Sequence, residues 1–205
     1  MPLETEIKIR IYDVPAMRRK LRKLGFRIYA RRVFESNIIF DTPVRDLVRK
    51  GALIRMRRVR ARSIVTYKGP SKVGRHKSRE EIETLVADPK ALVAIFARLG
   101  LNPVFRYEKY RTEYEQPGRR GIVTVDETPV GDYLEVEGSP KWIDIAAGEL
   151  GFSRADYITA SYAAIYVQYC RDQGIRPDQM IFRPGRSAKG KVHRRIPETK
   201  NTNLP

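Results

Sequence analysis

Residues 3–11 alternate without a break: Leu-Glu-Thr-Glu-Ile-Lys-Ile-Arg-Ile. In an extended strand neighbouring side chains point to opposite faces, so Glu4, Glu6, Lys8 and Arg10 share one face and Leu3, Ile7, Ile9 and Ile11 the other. The same kind of pattern predicts strands over 27–40, 51–60, 63–69, 77–86, 103–116, 121–128 and 131–138, most of them separated by Gly- or Pro-containing breaks. Between strands the period becomes helical. Asp13 is placed to cap a helix with Pro15 in its first turn, Val14, Met17, Leu21 and Leu24 as its apolar positions, and Gly25 as its stop. Asp88, Pro89, Leu92, Val93, Ile95, Phe96, Leu99 and Gly100 repeat that helix with the same cap-to-glycine spacing. The strand-to-cap spacing repeats as well, Glu6 to Asp13 and Glu81 to Asp88, which points to structural repetition. A third helix runs from Ser139-Pro140 through Trp142, Ile143, Ile145, Ala146 and Leu150 to Gly151, and a fourth covers roughly 159–171. Consecutive antiparallel strands remove their exposed edges by closing on themselves. The predicted fold is therefore α+β, an eight-stranded antiparallel β-barrel with flanking helices.

One charged strand face is explained by solvent on one side of a sheet. Here the device recurs in segment after segment. Arg55 and Arg57 oppose Ile54 and Met56; Lys68 ends Val65-Thr66-Tyr67; Arg79, Glu81 and Glu83 oppose Ile82 and Val86. Lys109 and Arg111 share a face, Asp126 ends Val123-Thr124-Val125, and Glu135 and Glu137 bracket Val136. If these faces meet, they line a polar interior holding both signs of charge. Arg forks and Lys ammoniums bind a polyphosphate directly. Carboxylates repel one unless they hold a hard divalent cation that bridges to phosphate oxygens. Acids and bases in one cavity thus point to metal-assisted phosphoryl or nucleotidyl chemistry.

Composition narrows the partners. The 205 residues carry a formal net charge of +17, which calls for an anionic partner without choosing among nucleic acid, an anionic membrane and a phosphorylated small molecule. A single cysteine, Cys170, excludes an internal disulfide framework and a thiolate zinc cluster. Only His76 and His193 are available as imidazole ligands. There is no long apolar run and no signal-like start, so the expected location is the cytoplasm, with no membrane partner. After Gly174 the periodicity dissolves into Gly, Pro, Ser and Asn with Arg183, Arg186, Lys189, Lys191, Arg194 and Arg195. The expected organisation is a domain over 1–170 and a basic, disordered tail over 171–205.

Glu4-Thr5-Glu6-Ile7-Lys8 resembles the ExExK signature of the CYTH superfamily, the triphosphate tunnel metalloenzymes. A longer string supports the resemblance, in the family's order across roughly residues 1–170. It comprises Phe40-Asp41-Thr42-Pro43, Ala52 to Arg58, Val65 to Pro70, Ser78 to Glu83, Lys109-Tyr110-Arg111, and Asp126 through Gly131 to Glu137. The resemblance implies a tunnel whose basic half, Lys8, Arg55, Arg57, Lys68, Arg79, Lys109 and Arg111, grips a nucleoside or inorganic triphosphate. It implies a metal group of Glu4, Glu6, Asp126, Glu135 and Glu137, joined by Glu81 and Glu83, for Mg2+ or Mn2+. Lys8 and Lys68 are the residues it implies for catalysis. The string is most similar to the class IV adenylate cyclase branch, which converts ATP to cyclic AMP and pyrophosphate.

Two other readings stand beside that one. A triphosphatase acting on inorganic, nucleoside, thiamine or RNA 5′-triphosphate would use the same charges. A non-catalytic polyphosphate or nucleic-acid binder would exploit the basic surface, including Arg18, Arg19, Lys20, Arg22 and Lys23, and the tail. Seven aligned carboxylates argue against a pure binder, because they weaken affinity for a polyanion. Gly69 to His76 copies half of a P-loop but lacks the Lys-Ser/Thr ending and leads into no helix, so it reads as a mobile basic loop. His76 reads as a polar loop residue. Tyr162, Tyr166, Tyr169 and Trp142 read as packing residues.

Overall fold

The computed structural model describes residues 3–183. In chain order the first half holds β1 (Leu3–Ile11), α1 (Val14–Lys23), β2 (Arg27–Asp41), α2 (Asp46–Arg49), β3 (Leu53–Val59), β4 (Arg62–Lys68), the two-residue β5 (Lys72–Val73) and β6 (Lys77–Val86). The second half holds α3 (Pro89–Arg98), β7 (Asn102–Glu115), β8 (Gly121–Thr128), β9 (Gly131–Gly138), α4 (Pro140–Glu149) and α5 (Tyr162–Asp172). All eight predicted strands form. Their order is β1-β9-β8-β7-β2-β3-β4-β6, and β6 pairs back onto β1 from Leu3↔Glu80 to Glu6↔Lys77, so the sheet closes into a barrel.

The repeated helices follow one local recipe. Asp13 accepts from the Ala16 N–H, and Asp88 accepts from the Lys90 and Ala91 N–H groups. Each helix then stops at a glycine of positive φ, Gly25 at 83° and Gly100 at 78°. The Phe26 N–H returns to the Leu21 carbonyl, and the Leu101 N–H to Phe96, so the last turn satisfies its own carbonyls.

Outside the barrel, Ile7, Ile9 and Ile11 of β1, Val123 and Val125 of β8, and Leu134 and Val136 of β9 pack beneath α1 and α4 into the main core. The apolar members of the alternating strands therefore point outward into this core and the charged members inward. Trp142 lies across the Gly121↔Gly138 pair, where an added Cβ would come within 2.4 Å and 2.8 Å of its ring. No larger residue fits there.

The structure adds one element and corrects one expectation. The sequence patterns assign nothing between the strands over 27–40 and 51–60, and the four-residue α2 forms there. Buried Asp41 holds it by accepting from the Thr42, Leu47 and Val48 N–H groups at 2.7, 2.9 and 3.1 Å. The tail is not free from Gly174 onward. Met180 is fully buried, its N–H reaches the Arg106 carbonyl at 3.0 Å, and its carbonyl accepts from Glu108 at 2.9 Å. Phe182 packs on Tyr110 at a ring separation of 5.3 Å. Residues 175–183 thus form a strap along β7. The basic residues from Arg186 onward lie outside the described residues.

Candidate functional site

The register puts the predicted charges side by side. Glu4 faces Arg79 across β1 and β6, Glu6 and Lys8 face Glu137 and Glu135 across β1 and β9, and Lys68 faces Glu81 across β4 and β6. Arg111 faces Asp126 across β7 and β8. Directly paired residues point to the same side of a sheet, so closing the barrel collects these rows inside it. The result is a cavity of about 540 Å³, and every predicted site residue except Asp126 lines it.

The cavity has two unlike ends. One is closed by α5 and the strap: Tyr162, Tyr166 and Cys170 of α5 pack with Tyr107, Val130, Tyr133 and Met180. Above this floor lie Lys8 and Lys109, whose ammonium groups sit 5.3 and 5.1 Å from the Tyr162 ring centre. Lys8 also meets Glu6 at 3.0 Å and Glu135 at 3.2 Å. Burial lowers the Lys8 pKa, but the Glu6 and Glu135 carboxylates outweigh it and hold the group above its ordinary value. Lys8 is therefore a permanent cation.

Asp126 lies behind that floor, fully buried. Arg111 donates to it from Nε at 2.7 Å and from Nη2 at 2.6 Å, Lys109 from Nζ at 2.8 Å, and Tyr162 from its hydroxyl at 2.7 Å. Burial raises its pKa, but Arg111 and Lys109 dominate and keep it ionised below the ordinary carboxylate range. Glu135, bonded to Arg111, is held down in the same way by Arg111, Lys109 and Lys8 against its own burial.

At the other end the acids are less well compensated. Glu4 turns to Lys68 at 2.6 Å and to Arg79 at 3.5 Å. The strongest charged influences on Glu137 are like charges, Glu4, Glu135 and Glu6. Together with burial they push its carboxyl up to about 7. Glu137 stands at the mouth where water reaches it, so like-charge repulsion is the firmer cause. Among the described residues no three carboxylates are gathered into a ready-formed cation cage, since Glu4 and Glu6 are turned toward lysines. The donor set nonetheless fits a hard divalent cation: four carboxylates on neighbouring strands, one of them crowded by its own sign.

Glu81 and Glu83 stand on the basic wall. Glu81 meets Lys68 at 2.9 Å, and Glu83 meets Arg57 at 3.2 Å and accepts from the Thr66 hydroxyl at 3.0 Å. Arg55 and Arg57 each keep an Nε–H without a partner among the described residues, a spare donor for an anion.

Sequence reasoning missed four contributors to this interior. Lys77 lines the cavity with its Nζ 3.9 Å from Glu6, and burial together with Arg79 and Lys8 lowers its pKa to about 8. Glu35 and Asn37 of β2 are buried on the inner wall, facing Lys109, Tyr107 and Arg57 across the register. Tyr162, read as packing, supplies a hydroxyl to Asp126. Period two could have found Lys77, two positions before Arg79. Nothing local marks the other three. The half P-loop is no phosphate cradle: it runs through β5, and His76 is tied to Asp144 of α4 at 2.8 Å, with Tyr157 on the same carboxylate at 3.1 Å.

Comparison with known proteins agrees with this architecture. A protein of Methanocaldococcus jannaschii, whose name proposes an adenylate cyclase, is 33% identical over 137 residues, covering 67% of this chain and 77% of the relative. A Vibrio parahaemolyticus structure, also named as a proposed adenylate cyclase, superposes with a TM-score of 0.68 at 18% identity, covering 78% of this chain and 95% of that one. A Hippeastrum protein, described as an adenylyl cyclase candidate with a dominant triphosphatase activity, gives 0.61 at 20% identity, covering 80% and 95%. Among the described residues no helix is long and apolar enough to cross a membrane. The CYTH domain model matches residues 2–162, and with the closed tunnel already described, the chain belongs to the CYTH domain family.

Proposed function

We propose that the tunnel binds a triphosphate together with Mg2+ or Mn2+ and cleaves it, with adenylate cyclase chemistry on ATP as the first reading. The observation that carries this is the division of charge inside one cavity. Guanidiniums with spare N–H donors stand on one wall, and carboxylates crowded by their own kind stand at the mouth. Arg55, Arg57 and Arg79 fork phosphate oxygens, while Lys8, Lys68, Lys109 and Arg111 neutralise charge along the chain of phosphates. Glu4, Glu6, Glu135 and Glu137 would hold the cation, which when bound supplies Lewis-acid stabilisation of charge on phosphate oxygens. Lys8, a permanent cation, acts through charge alone. Lys77 is the lysine able to exchange a proton at Nζ near neutral pH, which suits it to take one from an attacking hydroxyl or water.

The relative at 33% identity supports the cyclase reading. A triphosphatase is the second reading, favoured by a site whose recognisable chemistry addresses only the phosphates. Product analysis with ATP and with inorganic triphosphate, under Mg2+ and then Mn2+, tests both. Cyclic AMP with pyrophosphate identifies the cyclase. ADP with phosphate, or cleavage of inorganic triphosphate, identifies the hydrolase. No binding of any triphosphate defeats the proposal, and binding without turnover leaves a polyphosphate-binding module.

A further inference from the structure

Asp126 accepts from four donors: Oδ2 takes Arg111 Nη2, Lys109 Nζ and the Tyr162 hydroxyl, and Oδ1 takes Arg111 Nε. The residue is fully buried, and the cavity walls are formed by its partners Arg111, Lys109 and Tyr162. Asp126 itself does not reach the cavity, and displacing a donor to admit a metal would leave a buried cation or hydroxyl unpaired.

Resting on the triphosphate reading above, we propose that Asp126 is a positioning residue and not a metal ligand, and that Tyr162 is its partner in that role. Together they hold Lys109 and Arg111 at the angle from which these two meet the phosphates. The local architecture is built for this. Tyr162 is the first residue of α5, whose cap Ser161 accepts from the Ala164 N–H. Just ahead of the helix, Ile158 exchanges two backbone hydrogen bonds with Lys8, each 2.8 Å. Behind it, the Tyr166 hydroxyl accepts from the Asp178 N–H at 3.2 Å, where the strap begins its return along β7. The Tyr162 ring is boxed by Tyr107 at 6.0 Å and Tyr133 at 5.8 Å, so its hydroxyl has a fixed aim. A tyrosine held at both ends of its segment and pointed at a buried carboxylate that two cations already grip fixes geometry.

The test uses the full chain and the variants Tyr162→Phe, Asp126→Asn and the double variant. Calorimetry measures two probes separately: Mn2+ alone, and tripolyphosphate in chelator. Tyr162→Phe should weaken tripolyphosphate about tenfold and leave Mn2+ affinity unchanged, with Glu137→Gln as the opposite control. In the Asp126→Asn background, adding Tyr162→Phe should change tripolyphosphate affinity by less than about twofold, because the two act as one unit. A merely structural tyrosine would weaken both probes together or add its full effect in either background. A tenfold fall in Mn2+ affinity in either single variant overturns the assignment, as does tripolyphosphate binding unaffected by Tyr162→Phe. If Asp126→Asn does not fold, the two-probe comparison on Tyr162→Phe decides alone. Wild-type protein that binds neither probe overturns the triphosphate reading itself, and this inference with it, before any variant is made.

Discussion

Asp126 and Glu137 are carboxylates on the inner faces of adjacent strands, β8 and β9, and their surroundings are opposite. Asp126 lies at the closed end, surrounded by cationic and hydroxyl donors and held ionised. Glu137 stands at the open end among other carboxylates, with its pKa pushed up to about 7. On the proposed function, the same chemical group is a positioning anchor in one place and a candidate cation ligand in the other. The difference comes from what closes each end of the barrel. α5 and the strap bring apolar rings and remove water at the floor, where an ion persists only when paired. At the mouth Glu137 is exposed to solvent, so like charges can stand close there.

The comparison breaks most severely if the floor is not held by the strap. Truncation after Gly174 removes Met180 from a fully buried site, and loss of such a side chain alone costs about 2–5 kcal/mol. We expect the melting temperature to fall by roughly 6–12 °C, read by calorimetry. An unchanged value would show that α5 closes the tunnel unaided.

Glu135→Gln near the floor and Glu137→Gln at the mouth keep size and remove charge. Each should lower the rate of triphosphate cleavage by at least about 100-fold, and chelator should abolish the wild-type rate. Full rates for both variants in excess EDTA would remove the metal from the tunnel.

Arg57→Ala and Arg55→Ala should weaken tripolyphosphate binding by about 2 kcal/mol each, since each loses a charge-assisted fork. Arg19→Ala, on α1 outside the barrel, should change it little. Equal losses at Arg19 and Arg57 would mean that the anion is held by diffuse surface charge.

The smallest effect is a pH dependence. Glu137 is protonated below about 7 and cannot then ligate. Affinity for Mn2+ should therefore rise about tenfold from pH 6 to pH 8 and flatten above. Glu137→Gln should remove that slope. A slope that survives the substitution belongs to another group.

Much of this was legible from period two alone. β1, β3, β6 and β9 are short or regular enough that alternation keeps phase from end to end, so Glu4, Glu6, Lys8, Arg55, Arg57, Arg79, Glu135 and Glu137 were assigned correctly to one interior. β2 defeats the same reasoning. Its pairing with β7 shifts register between Ile28 and Ala30, between Ala30 and Val33, and between Ile39 and Phe40. Glu35 and Asn37 lie in an unbroken stretch between these shifts, but the adjoining apolar run Ile38-Ile39-Phe40 breaks the alternation that would have marked their face as the inner one. The strap was illegible for another reason: it is held by backbone hydrogen bonds and one buried methionine, and neither leaves a periodic trace.

By itself the sequence determined the strands, the capped helices, the sign of charge on each inner face and the family, because these depend on neighbours within one or two turns or pleats. Only the tertiary structure decided which end of the barrel is shut and that Tyr162 serves Asp126 across 36 residues. It also decided that Asp126 is enclosed by four donors while Glu137 stands exposed. Those outcomes depend on which charges end up within 3 Å of one another and which keep their water, and barrel closure sets both.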